Sequence, residues 1–257
     1  SKVSPLVKIV CRGDTTVADA YLSPVLNKYI QNFTSNLTNS LNNNNKIKKS
    51  VYFMMSSGGL TSALNFKGKD SILSGPAGGE PGKGNGVREA LDLIFSSRRD
   101  LSHDLLIMLD ADATYRPEYI PEFISLLGEY EVVWGSRLRG RIEKNAMSAT
   151  NRFGNWFLSL VASILFFKRT TDLCTGYWGF RLSSLKKLEL SADGFNLEAD
   201  LFGSVSKSKM STKEIPVDYD HRQGDSNLVW YKDGPRILLM TMKKRVFLVL
   251  KSTKLKR

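Results

Sequence analysis

The sequence has few cysteines and no apolar run long enough to cross a membrane. Its 257 residues include two cysteines, which cannot form a disulfide framework and fit a reducing compartment. The longest apolar run, residues 156–167, is shorter than the roughly 20 residues that a transmembrane helix requires. We therefore expect a cytoplasmic protein that reaches a membrane, if at all, at its cytoplasmic face.

Acidic residues are also scarce. Asp and Glu number 25 against 37 Lys and Arg, so the formal net charge is +12. Residues 241–257 contain seven basic side chains and no acidic one. Such an excess is compatible with phosphorylated substrates, an anionic membrane or nucleic acid, and charge alone does not choose among them. The basic C-terminal segment, 236–257, is either a solvated tail or a contact with a membrane surface.

The glycine-rich stretch 74–91, SGPAGGEPGKGNGVREAL, is not a standard phosphate-binding loop. A Walker loop requires Gly-Lys-Ser/Thr, and here Gly84 follows Gly82 and Lys83. The dinucleotide pattern GxGxxG also fails, because Val87 and Glu89 stand where the third glycine would be needed. The two halves of this stretch therefore require separate explanations.

Apolar runs and helical periodicity alternate along the chain, a pattern that favours an α/β fold. The predicted strands are 7–10, 51–55, 72–73, 105–109, 131–135 and 213–219. The predicted helices are 16–41, 87–95, 117–127, 151–167 and 236–250. Pro216 suggests that the last strand lies at a sheet edge, because proline cannot donate a ladder hydrogen bond. The 42% of hydrophobic residues suffices for one large domain or two small ones.

The strongest chemical pattern is LLIMLDADATY, in which Asp110 and Asp112 follow the predicted buried strand 105–109. Two carboxylates two residues apart at a strand end project to one side, where open α/β sheets bind ligands. Oxygen ligands at that spacing suit Mg²⁺ or Mn²⁺, and such an ion can neutralise a diphosphate leaving group. The alternative is a strand-to-loop turn with two solvated aspartates.

Six segments in one order resemble family 2 glycosyltransferases of the dolichyl-phosphate mannosyltransferase-like group, over about 81–246. They are GKGNGVREAL, IMLDADATY, VVWGSR, TDLCTGYWGFR, GFNLEADLF and EIPVDYDHRQGDSNL. The resemblance implies a nucleotide-sugar-binding α/β sheet of glycosyltransferase A type, a divalent metal, and sugar transfer to a polyprenyl phosphate or similar acceptor. Asp110 and Asp112 match the family's donor- and metal-binding pair. Thr114 departs from a frequent glutamine, which leaves a third protein ligand open.

The resemblance also implies a set of phosphate contacts. The substrate-binding residues that it assigns are Lys83, Arg88, Arg137, Ser226 and Asn227, and Arg222 joins Asp110 and Asp172 as catalytic. Helix N-termini and arginine forks suit anions. The alternatives are solvated charges at a helix end and an ordinary basic turn.

The candidates for orienting groups or a base are Asp172 in TDLCTG, and Glu198 and Asp200 in NLEADL. A phosphate acceptor needs no strong base, so cations should matter more than proton abstraction. A hydroxyl acceptor would demand more of one of these carboxylates. The apolar helix 151–167 is either a core helix or an interfacial one that presents a lipid acceptor.

The N-terminal part of the chain resembles another family. VKIVCRGDTTVADAYLSPVLNKYI, VYFMMSSGGLTSA and SILSGPAGG, over about 7–79, resemble 5-oxoprolinase and its hydantoinase A relatives, which have an actin-like fold. The first strands of a family 2 glycosyltransferase, which bind base and ribose, are missing. We therefore expect an oxoprolinase-like α/β fragment at 1–80, an incomplete glycosyltransferase domain at 81–235 and a basic segment at 236–257. Surfaces that the missing strands normally cover should be exposed.

The function expected from these patterns is metal-dependent sugar transfer, impaired or lost because the base-binding half is missing. The expected partners are a nucleotide-sugar donor, a lipid-phosphate acceptor and a membrane surface, with nucleic acid disfavoured. An ATP-dependent hydrolase fragment and a basic membrane- or nucleic-acid-binding protein are the rival hypotheses.

Overall fold

The structure is a computed structural model, which describes residues 31, 35, 52–54, 60–62, 83–97, 100–110, 114–194, 196–221 and 230–254. The predicted strands 7–10 and 72–73 lie outside these residues, as does most of the predicted helix 16–41. Gln31 and Ser35 are helical, in agreement with the periodicity of that segment.

The described elements alternate between strands and helices, so the predicted α/β class is confirmed. The strands are β1 (Tyr52–Met54), β2 (Leu60–Ser62), β3 (Leu105–Met108), β4 (Val132–Ser136), β5 (Trp178–Arg181) and β6 (Thr212–Pro216). The helices are α1 (Lys83–Ser97), α2 (Ile120–Leu126), α3 (Ala149–Phe166), α4 (Leu182–Leu185), α5 (Leu197–Lys207) and α6 (Trp230–Lys254), with a 3₁₀ turn at Pro117–Tyr119 before α2. Because α6 begins at Trp230, it spans the domain boundary expected at 235/236.

Four strands form one mixed sheet in the order β3-β5-β4-β6. β5 is antiparallel to β3 and to β4, whereas β4 and β6 are parallel. β6 lies at one edge of this sheet, as Pro216 predicts. β3 lies at the other edge, which places the strand that leads to Asp110 beside a single described neighbour.

The short strands β1 and β2 pair antiparallel with each other, with Tyr52 opposite Ser62. Within the described part of the chain they do not join the four-stranded sheet. β3 is accordingly half-buried, and Leu105 is 41% exposed. The sequence predicts a buried strand here. Among the described residues β3 has one strand neighbour, β5, and its residues are only partly buried.

The sheet carries a hydrophobic cluster on each face, as alternation along the strands requires. Trp134, Trp178 and Phe180 belong to one cluster, which α5 completes with Phe202. The other cluster includes Phe123 from α2. Nine of the eleven α5 residues are buried. Because the helix has almost no exposed side, the sequence shows no alternation of apolar and polar residues that would predict it.

Helix α3 is amphipathic in an unusual sense. Its buried residues are Asn155, Ser159, Ala162 and Phe166. Its outward side carries large apolar residues, namely Phe153, Trp156, Phe157, Leu160 and Ile164. Ser148 begins the helix, because its Oγ accepts a hydrogen bond from the Asn151 amide at 3.1 Å. α3 therefore buries Asn155 and Ser159 together with Ala162 and Phe166, and exposes a row of large apolar side chains.

Candidate functional site

Asp110 stands just beyond the C-terminal end of β3, against Gly176. The register explains the contact, because Met108 pairs with Trp178 and the two chains continue by two residues in opposite directions. A Cβ atom at position 176 would lie 2.2 Å from Asp110 Oδ2. Only glycine therefore leaves room for the carboxylate at this place.

Tyr115 connects this contact to the rest of the site. Its hydroxyl accepts a hydrogen bond from the Gly176 amide at 2.7 Å, and the residue is 2% exposed. Burial raises the pKa of Tyr115, and the nearby carboxylates Asp172 and Asp110 add to this effect against the opposing charge of Arg137. Tyr115 therefore stays a neutral phenol, which fixes the backbone beside Asp110 and does not act as a base.

A buried ion pair joins Arg137, just after β4, to Asp172. Arg137 donates to Asp172 through Nε at 2.7 Å and through Nη2 at 2.7 Å, and its backbone amide donates at 2.8 Å. The side chains are 11% and 0% exposed. Although burial alone would lower the pKa of Arg137, its attraction to Asp172 raises the pKa well above the ordinary range.

Asp172 also accepts a hydrogen bond from Asn155 Nδ2 at 2.6 Å, so four donors surround its two oxygens. An ionised carboxylate offers about four acceptor positions. This geometry favours a positioning role for Asp172 over the role of a base. Arg137 reaches further, because Nη2 donates to the Cys174 carbonyl at 2.7 Å and the guanidinium lies 5.1 Å from the Tyr219 ring centroid.

Glu214 of β6 holds the residues that lead into Asp172. Its Oε1 accepts hydrogen bonds from Trp134 Nε1 at 2.9 Å and from the Thr171 amide at 2.8 Å. Thr170 and Thr171 add hydroxyl donors to the same carboxylate. One partly buried carboxylate thus ties β4, β6 and the segment before Asp172 together.

Arg116 and Asp220 form a second ion pair, beside the segment 222–229. Arg116 donates to Asp220 through Nε at 2.6 Å and Nη2 at 2.7 Å, and to Asp218 at 3.1 Å. The hydrogen bond from Arg116 holds the pKa of Asp220 below its ordinary value. His221 donates from its amide to Glu143. The chain is therefore fixed immediately before position 222.

Four of the predicted site residues lie outside the described residues: Asp112, Arg222, Ser226 and Asn227. Lys83 is the first residue of α1, as the resemblance to a helix start implies. Arg88, one turn further along α1, is partly exposed. The roles expected for these six residues therefore remain predictions.

The N-terminal turn of α1 packs against the segment before α5, because a Cβ atom on Gly84 would lie 2.4 Å from the Ala192 carbonyl oxygen. Asp200 of α5 is fully buried and accepts hydrogen bonds from the amides of Ser191 and Ala192. It also pairs with Lys244 of α6. Asp200 is therefore an anchor between α5, α6 and the chain beside α1. Glu198 is buried as well.

The described residues do not assemble a metal site on their own. Among them, no three side chains of His, Cys, Asp or Glu come together in a metal-binding group. Of the predicted metal-binding pair Asp110 and Asp112, Asp110 is the one that lies among the described residues. The oxygens of Asp172 already accept hydrogen bonds from Arg137 and Asn155. Thr114 is fully buried.

Two known families match the chain, one after the other. The profile of "Glycosyl transferase family 2" matches residues 82–189, and that of "Hydantoinase/oxoprolinase" matches residues 12–94. Residues 82–189 are therefore similar to glycosyl transferase family 2. Both resemblances that the sequence motifs indicate are thereby confirmed, and they meet at the glycine-rich stretch, where the two matches overlap.

Curated relatives agree with this division. A "Glycosyltransferase AglJ" of Haloferax volcanii is 29% identical over 62% of this chain and 51% of its own length. A "Dolichyl-phosphate hexose transferase" of the same organism is 30% identical over 52% and 58%. A "5-oxoprolinase" of Saccharomyces cerevisiae is 43% identical over 31% of this chain and 6% of its own length. The chain thus spans about half of each of these two glycosyltransferases and a small part of the oxoprolinase.

Solved structures with some similarity include a glucosyl-3-phosphoglycerate synthase from Mycobacterium tuberculosis in complex with uridine diphosphate. That structure has a TM-score of 0.46 and 14% identity, over 69% of this chain and 59% of its own. A complex of the same enzyme with Mn²⁺, uridine diphosphate and phosphoglyceric acid has a TM-score of 0.47 and 12% identity, over 69% and 58%.

Sequence reasoning missed several residues that build the site in the glycosyl transferase segment and beside it. They are Tyr115, Arg116, Asn155, Gly176 and Glu214. For Asn155 a signal existed, because Asn155 and Ser159 interrupt an apolar helix one turn apart. Buried polar side chains at helical spacing indicate partners on another element. For the other four, the partners lie more than 40 positions away in the sequence.

Replacement of Asn155 by alanine tests whether this side chain stabilises the Arg137–Asp172 ion pair. Asn155→Ala should lower the free energy of unfolding by about 1–3 kcal/mol, because it removes one donor to Asp172 and leaves the Cys174 amide without its acceptor. Urea unfolding followed by circular dichroism measures the change. Asn151→Ala on the same helix is the control, with an expected change within about 0.5 kcal/mol. Equal effects of the two variants would contradict the assignment.

Proposed function

We propose that this chain binds a nucleotide-sugar donor and transfers its sugar to a polyprenyl phosphate or a similar acceptor at a membrane surface. The observation that carries the proposal is the position of Asp110. It lies beyond the C-terminal end of β3, against Gly176, and Tyr115 links this contact to the buried Arg137–Asp172 pair. The family match and the dolichyl-phosphate hexose transferase relative support the same reaction class.

The proposed reaction breaks the bond between the sugar C1 and the diphosphate and forms a bond from C1 to an acceptor oxygen. The electron pair of the broken bond leaves with the nucleoside diphosphate. An acceptor phosphate is already an anion, so cationic contacts matter more than a base. We assign these contacts to Lys83, Arg88 and Arg222, with Ser226 and Asn227 beside the acceptor.

We assign three positions different duties. Asp110 and Asp112 are the proposed carboxylates for Mg²⁺ or Mn²⁺, which would neutralise charge on the diphosphate. Asp172 serves as a positioning residue, because its hydrogen bonds hold Arg137 and the chain that leads to Gly176. No proton transfer is assigned to Asp172, since its oxygens already accept four hydrogen bonds.

We further propose that turnover is low in this chain. In the described residues the sheet ends at β3, and the resemblance implies that the strands which bind base and ribose are missing. The division into 1–80, 81–235 and 236–257 is part of this proposal. We propose no hydrolase activity for the N-terminal part, which corresponds to 6% of the oxoprolinase.

Calorimetric titration of the chain with UDP- and GDP-sugars in the presence of Mn²⁺ tests the function. We expect binding, and Asp110→Asn should weaken it by at least about tenfold if the carboxylate contacts donor or metal. Asp100→Asn, which changes an exposed aspartate shortly before β3, is the matched control and should leave the affinity unchanged. Mn²⁺ alone is titrated in a separate arm.

Four results would overturn this proposal. Absence of binding by every donor would exclude the site, and equal affinity of the Asp110→Asn variant would exclude its location. ATP binding without nucleotide-sugar binding would favour the hydrolase hypothesis. DNA or RNA binding that falls steeply with salt, without donor binding, would favour a nucleic-acid protein.

A further inference from the structure

The outward side of α3 is an apolar surface without any acidic residue. Phe153, Trp156 and Phe157 are 65%, 51% and 46% exposed, and Leu160 and Ile164 continue the row. The spacing of three and four residues puts all five on one side of the helix. Arg152 is the one charged residue of α3. Exposed apolar residues scattered singly are ordinary, but a contiguous aromatic row marks an interaction surface.

Helix α6 extends this surface. It packs against α3 and exposes Leu239, Met242 and Val246, which are again spaced by three and four residues. Phe167, just after α3, is 86% exposed and its ring lies 5.4 Å from the guanidinium of Arg245, the neighbour of Val246 in α6. Nine residues form what we call the docking face: Phe153, Trp156, Phe157, Leu160, Ile164, Phe167, Leu239, Met242 and Val246.

A cationic groove of ≈370 Å³ adjoins the docking face at Phe167. Its lining residues are Phe166, Phe167, Lys168, Ser206, Lys207, Lys209 and Arg245. Four of these seven are cations, and none is acidic. Lys207 also pairs with Glu189 at 3.1 Å, and Lys168 donates to the Met210 carbonyl at 3.0 Å. The groove therefore offers positive charge directly beside the strongly exposed ring of Phe167.

We propose that the docking face binds the surface of an anionic phospholipid bilayer, and that the groove takes one lipid phosphate headgroup. Aromatic and aliphatic side chains enter the boundary between headgroups and acyl chains, while Lys and Arg bind anionic headgroups. From 236 to 254, α6 carries six basic residues and no acidic one, which strengthens the charge complementarity. No helix among the described residues is both long and apolar enough to span a bilayer.

A second copy of the chain is the competing occupant of this face. A two-fold dimer would bring identical patches together. Two copies, each with a formal net charge of +12, would repel each other, and no acidic residue of the docking face compensates the cations at Arg245, Lys209 and Lys168. Charge therefore favours the bilayer.

Vesicle sedimentation tests the proposal, with phosphatidylcholine vesicles that contain none or about 30 mol% phosphatidylserine. The chain should sediment with the anionic vesicles, and binding should fall at least about tenfold between about 0.05 M and about 0.5 M NaCl. The variant Trp156→Ser/Phe157→Ser should lose at least about tenfold in partitioning, because it removes two inserted aromatic rings. Leu93→Ser, an equally exposed apolar residue on α1, is the matched control and should bind unchanged.

A substitution in the groove tests the headgroup site separately. Arg245→Glu should weaken binding to anionic vesicles by about tenfold or more. Lys186→Glu is the control, because it makes an equal charge change at an exposed site outside the groove, and it should weaken binding by less than a third as much on a logarithmic scale. Free glycerol phosphate should not displace the protein at concentrations equal to the vesicle headgroups, because the apolar face contributes the larger part. Displacement by free phosphate would overturn the assignment to a bilayer.

Two further outcomes would overturn the proposal. One is equal vesicle binding by the wild type and the Trp156→Ser/Phe157→Ser variant. The other is a dimer in analytical ultracentrifugation that this variant dissociates while neither protein binds vesicles, because the face would then join two copies. The inference rests on the proposed function in one respect only, namely that the sugar acceptor proposed there is a lipid phosphate at a membrane surface. Vesicle binding is measured without donor, so failure here and failure of donor binding are separate results.

Discussion

Arg137→Met is expected to lower the free energy of unfolding by about 3–5 kcal/mol, because it leaves the fully buried Asp172 carboxylate without its counter-charge. Of the four hydrogen bonds to Asp172, two are lost and two remain, namely those from Asn155 Nδ2 and from the backbone amide of residue 137. Urea unfolding gives the change in free energy, and donor titration of the folded fraction gives the change in affinity.

Arg139→Met is the matched control for this change. Arg139 lies two residues away, is 48% exposed and reaches Glu214 at 3.8 Å, so its loss should cost less than about 1 kcal/mol. The double variant Arg137→Met/Asp172→Leu should recover much of the lost stability, because it removes the uncompensated charge. Donor binding should stay weak in the double variant. Equal losses for Arg137→Met and Arg139→Met would show that the pair does not hold the site together.

Gly176→Ala is expected to weaken donor binding by about 10- to 100-fold, because displacement of a site group by about 1 Å can cost this much. The new Cβ atom would lie 2.2 Å from Asp110 Oδ2, so the carboxylate must move. Overpacking should also lower the free energy of unfolding by about 1–3 kcal/mol. Titration with the donor that the wild type binds best measures the affinity, and circular dichroism verifies that the variant is folded.

Gly154→Ala serves as the control glycine, since a Cβ atom there meets nothing within 4 Å. Its position inside α3 should give a gain of about 0.5–1 kcal/mol in stability and no change in donor binding. A folded Gly176→Ala variant with wild-type affinity would remove Asp110 from the donor site. Loss of binding by both variants would point to a general effect of the substitutions.

Local patterns predict most of the elements around the site. The apolar run before Asp110, the proline at position 117 and the periodicity of 151–167 each place an element within about two residues of its observed bounds. Local patterns do not predict helix α5, because nine of its eleven residues are buried and it has almost no exposed side. They do not predict strand β5 either, because WGFR is short and follows a loop rich in small polar residues.

The pairing of charges is harder to predict than their presence. Asp172 and Arg137 are 35 residues apart and Arg116 and Asp220 are 104 apart. Nothing in the spacing says that these partners meet, because their approach depends on the strand order β3-β5-β4-β6. The contact between Asp110 and Gly176 likewise follows from the register of β3 with β5. The sequence motifs identify the acids, and the tertiary structure decides which of them are neutralised.

The edge position of β3 has a consequence for amide hydrogen exchange. β4 has hydrogen-bonded neighbours on both sides, so the amides along this strand have strand partners. β3 has a described neighbour on one side, and alternate amides of an antiparallel strand face away from that neighbour. Local opening should therefore require less free energy in β3 than in β4. The two walls of the proposed site would then differ in rigidity, with the Asp110 side exchanging its amide protons sooner than the Arg137 side.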